Sequence, residues 1–355
     1  DGVCRDMNKV PNSHHNAVIA RIKIMSNLNI AEKRVPQDGK LAFKMNGQLV
    51  EVRVATIPTV AGEGVVMRLL ASGGAMPIEK MNLAPTNLKR LEDMIKKPHG
   101  ILLVVGPTGS GKTTTLHAIL GYLNTPEKKI WTAEDPVEIT QPGLQQVQVS
   151  PKIGFTFANA LRAFLRADPD IILIGEMRDK ETAHAGIEAS LTGHLVLSTL
   201  HTNSAPETIT RLLDLGLDPV NFSDACVGIL AQRLIRTLCG KCKEEYVASD
   251  TDMAFIKRQY GAQMLDELAL PSPLKLYRAK GCEECGNTGY KGRTGVHELL
   301  GMTPELRSLV YKEASVAEMK KQATQDGMRT LVQDAIFKVI KGDTDIPQVQ
   351  IVGGD

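Results

Sequence analysis

The spacing of apolar residues changes along the chain, and each change marks a new kind of element. Over residues 14–29, Val18, Ile22, Met25 and Leu28 recur three or four apart, which predicts a helix. Residues 41–45 and 48–56 alternate instead, with Asn46-Gly47 between them, and read as a hairpin. Its second strand puts Val50, Val52 and Val54 on one face and Glu51, Arg53 and Ala55 on the other. A further strand, 64–70, carries Arg68 in an otherwise apolar run, so the first block is a small α+β domain. Small residues at 71–79 predict a linker, and a helix follows at 85–96, ended by Pro98-His99-Gly100.

From there short, wholly apolar strands at 101–105, 129–132, 171–174 and 195–199 alternate with helices near 112–123, 156–167, 180–191 and 205–215. Strands apolar at every position predict a parallel sheet covered on both faces. After Leu230 the composition changes. A cysteine-rich stretch of about 60 residues, with a helix around 251–268, leads to helices over 304–341 and a polar tail. The expected domains are 1–97, 98–232, 233–297 and 298–355. Asp1-Gly2 reads like the turn of a hairpin whose first strand lies upstream.

Composition narrows the class. The 355 residues are 43% hydrophobic and 23% charged, enough apolar material for a large core. No apolar run approaches the roughly 20 residues that cross a bilayer, so a soluble cytoplasmic protein without direct membrane insertion is expected. The net charge of +2 hides an asymmetry, because residues 1–97 carry 15 Lys+Arg against 9 Asp+Glu. Such a basic domain meets either the acidic remainder or phosphate.

Residues 106–113, Gly106-Pro-Thr108-Gly109-Ser110-Gly111-Lys112-Thr113, satisfy G-x-x-x-x-G-K-[ST] between a predicted strand and a predicted helix. The glycines let successive N–H groups face a β-phosphate, and the helix N-terminus adds partial positive charge. Lys112 neutralises β/γ oxygens, the Thr113 hydroxyl suits Mg²⁺, and Thr114 follows in the same turn. Glu176 closes the strand over 171–174, at the sheet edge where ligands of open α/β sheets sit. There it would orient water or hold Mg²⁺ through water, although a strand-end Glu alone is usually a solvated loop residue. Glu134, Glu138 and His201 follow other strand ends; a solvated turn and a helix-cap histidine are their plainer readings. His194 precedes its strand, so local reasoning gives it no route to the phosphates.

Cys239-x-x-Cys242 and Cys282-x-x-Cys285 form two knuckles 39 residues apart, able to complete a tetrahedral S₄ site for structural Zn²⁺. Two unrelated thiol pairs or a redox dithiol are the alternatives. Lys241, Lys243 and Lys280 nearby would soften the site's negative charge, and Cys4 and Cys226 read as small packing residues.

The blocks GPTGSGKTT, WTAEDPVE, LRADPDIILIGEMRD and TGHLVLSTLHTN resemble the Walker A, Asp-box, Walker B and His-box segments of the secretion ATPases, the motors of type II secretion and type IV pilus biogenesis. VPQDG at 35–39 extends the resemblance over nearly the whole chain. It implies a RecA-like P-loop core with a parallel sheet, preceded by a PAS-like domain and followed by zinc-binding and helical regions. It also implies ATP and Mg²⁺ as ligands, a homo-hexamer, and an inner-membrane platform protein as partner. Glu176 would be the general base, Glu134 and Glu138 would belong to the Asp box, and His194 and His201 to the His box. Arg53 and Arg68 would face a bound γ-phosphate, and Arg233 would be a further nucleotide contact. By the same resemblance the cysteine block would mark assembly and secretion motors rather than retraction motors; pilus assembly is the expected function, with type II secretion as the alternative. A nucleic-acid motor fits less well, because aromatics are only 4% with one Trp, too few for stacking platforms. A non-catalytic nucleotide switch is the remaining alternative.

Overall fold

The computed structural model describes residues 6–45, 48–69, 74–265, 268 and 270–353. Asp1-Gly2, Cys4, the Asn46-Gly47 turn and the start of the predicted linker lie outside the described residues. Contacts group the chain into two units. One holds the N-terminal residues up to 75 with 138–141, and the other holds 76–137 with 142–355.

In the N-terminal unit, α1 (His15–Met25) is followed by β1 (Gln37–Met45), β2 (Gln48–Thr59) and β3 (Gly62–Leu69), which form an antiparallel sheet in that order. Alternation works as expected: Leu41, Val50, Val52 and Val54 are buried together, with Ile22 and Leu28 packed on them. The helix stops short of the predicted 29 because Ser26 Oγ donates back to Ile22 O at 2.8 Å and Asn27 turns left-handed at φ 55°. Lys23 is buried on α1, ion-paired with Glu63 of β3, and donates to Glu32 O at 2.7 Å. The pairing register sets Lys40, Arg53 and Arg68 side by side across the three strands.

The larger unit begins with α2 (Pro85–Ile95), β4 (Gly100–Val105), α3 (Lys112–Leu123), β5 (Ile130–Glu134), β6 (Gln145–Gln148), α4 (Phe157–Phe164), β7 (Ile171–Ile174), α5 (Lys180–Leu191) and β8 (Leu195–Leu200). It continues through α6 (Ala205–Asp214), α7 (Pro219–Ala225), β9 (Cys226–Leu238), β10 (Glu244–Val247), α8 (Asp250–Tyr260), α9 (Ala262–Leu265), β11 (Lys275–Arg278) and β12 (Tyr290–Gly301). Four helices close it: α10 (Pro304–Tyr311), α11 (Val316–Gln325), α12 (Leu331–Ile340) and α13 (Ile346–Gly353). The main sheet runs β12-β9-β4-β8-β7-β5-β6, parallel throughout except for β12.

The central strand shows why these segments are apolar at every position. Ile101, Leu103 and Val105 point into one core layer, and Leu102 and Val104 into the other. Thr156, Asp179 and Ser204 cap α4, α5 and α6, each accepting an N–H from three residues on. The strands β6, β9 and β12 were not among those expected. The strand β9 crosses residues 232–233, where the core was expected to end, and pairs with β12, so the cysteine-rich region is joined to the main sheet. The expected polar tail is in part helix: α13 buries Val349 and Val352 against Leu331, Ile336 and Val339. Cys226 is buried in the core, which pushes its thiol up to about 12. Among the described residues, no helix is long and apolar enough to cross a membrane.

Candidate active site

The loop between β4 and α3 wraps as its glycines require. Gly106, Gly109 and Gly111 have φ of 151°, 80° and 90°, a region closed to most side chains. At Gly106 a Cβ would also lie 2.4 Å from Gln232 O, so the turn needs glycine twice over. Thr108 and Gly109 are exposed at the tip, while Ser110 is 3% exposed and its buried Oγ has no partner among the described residues. Lys112 Nζ turns back onto Gly106 O at 2.8 Å and Pro107 O at 3.2 Å. Burial lowers its pKa, and attraction to Glu176 counters that. Thr113 is half-buried in the first turn of α3, and Thr114 is exposed beside it.

Glu176 follows β7 and is 8% exposed. Its carboxylate meets Arg178 Nη2 at 2.5 Å and lies 3.5 Å from His201 Nε2, which stands just beyond β8. Side-chain ties lock these strand ends: Ser198 Oγ donates to Ile174 O at 2.8 Å and Thr199 Oγ1 to Gly175 O at 2.7 Å. The structure therefore gathers Lys112, Glu176 and His201 at one edge of the sheet. A carboxylate flanked by a guanidinium and an imidazole, within electrostatic reach of the P-loop lysine, can orient a water for attack on phosphorus.

Other expected residues go elsewhere. His194 lies at the opposite end of β8, its Nδ1 bonded to Ala189 O at 2.9 Å, so the strand's direction holds it away from this edge. Glu134 is 4% exposed with both oxygens taken up by neighbouring side chains. Burial raises its pKa, but hydrogen bonds from His117, Thr132 and Gln146 outweigh that and leave it lowered. Glu138 is half-buried in the segment that groups with the N-terminal unit.

Arg233 donates through Nη1 to Val352 O at 2.9 Å and faces the C-terminal helices. The alternation of β9 turns Gln232 toward the P-loop instead. Gln232 Nε2 donates to Ser110 O at 2.6 Å, and its Oε1 accepts from Thr115 Oγ1 at 2.8 Å. The strand period would have shown this pair, had β9 been recognised as a strand. Beside it lies a cavity of about 410 Å³ lined by Gly111, Thr114, Gln232, Leu234, Arg293 and His297, among others, roomy enough for a nucleoside.

Arg53 and Arg68 are direct cross-strand partners in the N-terminal unit, and Lys40 opposes Arg53 on the other side. Like charges set opposite each other destabilise a sheet, and an anion over the row removes that cost. Asp38 Oδ1 is a weak counter-charge to Arg53 at 3.9 Å.

The four knuckle sulfurs of Cys239, Cys242, Cys282 and Cys285 lie within 4.8 Å of one another. The separations Cys239–Cys282, Cys242–Cys285 and Cys282–Cys285 are 3.9, 3.8 and 3.7 Å. A tetrahedron with Zn–S bonds of about 2.3 Å has edges of about 3.8 Å, so the donor set fits zinc. Burial pushes the Cys242 thiol up to about 12. Burial also acts on Cys285, but N–H groups of Cys282 and Gly289, each 3.2 Å from its sulfur, bring it down to about 6. Of the lysines beside the site, Lys280 pairs with Glu244 and is also attracted by the Cys242 sulfur, Lys241 pairs with Glu284 inside the second knuckle, and Lys243 donates to Gly342 O and lies over the Tyr277 ring. The β10–β11 ribbon and α8 fill the long spacer between the knuckles.

Residues 1–351 match the family model described as Type II/IV secretion system protein. A Thermus thermophilus protein, Type IV pilus assembly ATPase PilB, is 47% identical over 350 residues, 98% of this chain but 38% of its own length. Type II secretion system protein E of Pseudomonas aeruginosa is 45% identical over 350 residues, 98% of this chain and 68% of its own. Among solved structures, the Legionella pneumophila ATPase DotB superposes with a TM-score of 0.69 at 22% identity, over 99% of this chain and 86% of its own, a likeness of fold.

Proposed function

The chain belongs to the Type II/IV secretion system protein family, and we propose that it is an ATP-hydrolysing motor of type II secretion, working as a ring of identical subunits against an inner-membrane platform protein and driving pseudopilus assembly. The observation that carries the ATPase reading is the convergence of the P-loop, Glu176 and His201 on one sheet edge. In this reading the larger unit is the RecA-like core and the N-terminal unit the PAS-like domain. ATP lies with its phosphates in the loop 106–113 and its base toward the 410 Å³ cavity. The orphan Ser110 hydroxyl gains a phosphate or ion partner, and Lys112 exchanges the carbonyls of Gly106 and Pro107 for phosphate oxygens.

Thr113 would hold Mg²⁺, which supplies charge neutralisation on the β and γ oxygens. Glu176 accepts a proton from the attacking water, with His201 and Arg178 fixing its orientation. Arg53 and Arg68 meet the γ-phosphate, and loss of that phosphate on hydrolysis restores their mutual repulsion, which favours rearrangement of the domain. Zn²⁺ on the four cysteines is structural, because four thiolates leave no open position.

Type II secretion is supported by several relatives that carry that name, the Pseudomonas aeruginosa and Vibrio cholerae proteins among them, each 45% identical over nearly this whole chain. The second reading, type IV pilus assembly, is supported by the 47% identity to that ATPase. Deleting the gene separates them. Lost export of folded proteins with intact surface pili supports the first reading, and lost pili with intact export supports the second.

A further inference from the structure

We propose that Glu134 acts on the nucleotide only through His117, as a positioning residue that holds the phosphate-binding helix against the sheet, and does not touch phosphate, ion or attacking water. This rests on the ATPase reading above and deepens it. Glu134 ends β5, and its Oε1 accepts from Thr132 Oγ1 at 2.7 Å and from Gln146 Nε2 at 3.0 Å. Its Oε2 lies 3.0 Å from His117 Nε2. A general base must present a lone pair to the proton it takes, and both oxygens here are committed to buried neighbours.

His117 is wholly buried on α3, one turn beyond Thr113 and close behind Lys112. A helix transmits a shift of that turn to its own N-terminus, because its hydrogen-bond ladder is stiff. The Glu134–His117 contact therefore sets where Lys112 and Thr113 stand relative to β5. On another side of the same helix, Thr115 is held by Gln232 of β9, so α3 is pinned to two different strands of the sheet. Glu176, by contrast, lies near His201 and Lys112 at the open edge, and it keeps the reacting role.

The test compares His117→Phe, His117→Gln, Glu134→Gln and the double variant His117→Phe/Glu134→Gln with Glu176→Gln. Nucleotide affinity is read with a fluorescent ATP analogue, KM and kcat with ATP and Mg²⁺, and folding by thermal melting. Stranding the Glu134 carboxylate in His117→Phe is expected to weaken nucleotide affinity and raise KM about tenfold or more, with kcat within a few-fold. His117→Gln still donates to the carboxylate and recovers most of that loss. In the double variant, removing the stranded charge recovers much of it too. Glu134→Gln loses far less kcat than Glu176→Gln. The inference is overturned if Glu134→Gln lowers kcat as far as Glu176→Gln does and the double variant is no better. It is also overturned if His117→Phe binds and turns over ATP normally. Turnover by the unaltered protein checks the ATPase reading separately, and the variants are ranked by affinity whatever that rate is.

Discussion

Mild acid is expected to destabilise the larger unit through one imidazole, and replacing His297 by Asn removes that sensitivity. His297 lies in β12, 2% exposed, with a buried Nδ1 that has no hydrogen-bond partner among the described residues. Asp334 Oδ2 is 3.9 Å from it, and Lys338 stands 3.6 Å from the same carboxylate. Burial first, and then repulsion from Lys338, push the imidazole down from 6.5 to about 3. In the unfolded chain it titrates near its ordinary value, so below about pH 6.5 the unfolded state binds the extra proton. A native pKa depressed in this way makes stability fall as pH drops from about 6.5 toward 3.

Between pH 7 and pH 5 the loss is about 2 kcal/mol, from the linkage integral with a slope limit near 1.4 kcal/mol per pH unit. Burial raises the pKa of Asp334, which acts in the opposite direction at lower pH, and the contribution is common to both proteins. Urea unfolding of parent and His297→Asn at pH 7 and pH 5, followed by Trp131 fluorescence, reads the difference. Trp131 is the chain's single Trp and lies on β5 of the same sheet. The parent is expected to lose about 2 kcal/mol more than the variant over this interval. Equal losses would refute the reasoning, whatever the offset between the two at pH 7.

Three further expectations follow from the same geometry. Gln232→Leu strands the Thr115 hydroxyl and the Ser110 carbonyl, so it costs about 1–3 kcal/mol of stability and raises KM for ATP; an unchanged KM would show that the P-loop does not need this brace. Elemental analysis is expected to find one zinc ion bound per chain, and stripping it with chelator lowers the melting temperature by roughly 5–10 °C; stability indifferent to chelator in a metal-free protein would deny the structural role. Arg68→Gln relieves the repulsion with Arg53 and is expected to stabilise the protein by roughly 0.2–1 kcal/mol while lowering kcat at least about tenfold. Lower stability together with unchanged turnover would contradict the phosphate role of that pair.

Much of the core was legible because its signals are local. The strand over Ile171–Ile174 and the helices Lys112–Leu123 and Lys180–Leu191 fall where apolar runs and periodicity predict them. The P-loop announces itself through glycines that adopt positive φ. What escaped depends on partners distant in sequence. The composition changes after Leu230, yet β9 runs through that point and lies between β4 and β12, which pair with its two edges. Only the period of two along that strand assigns the faces of Gln232 and Arg233 and turns Gln232 to the P-loop. Glu134 was legible as a residue at a strand end, but nothing in its neighbourhood reveals His117 on α3.

Hydrolysis by the Glu176→Gln protein tests the account where it is most exposed. This substitution keeps the shape of the side chain and its bond to Arg178 while removing the proton acceptor. Single-turnover ATP cleavage and nucleotide affinity are measured side by side with the unaltered protein. The account predicts unchanged affinity with cleavage slowed about 10²–10⁴-fold. Cleavage within tenfold of the unaltered protein would place the reacting base elsewhere and contradict it.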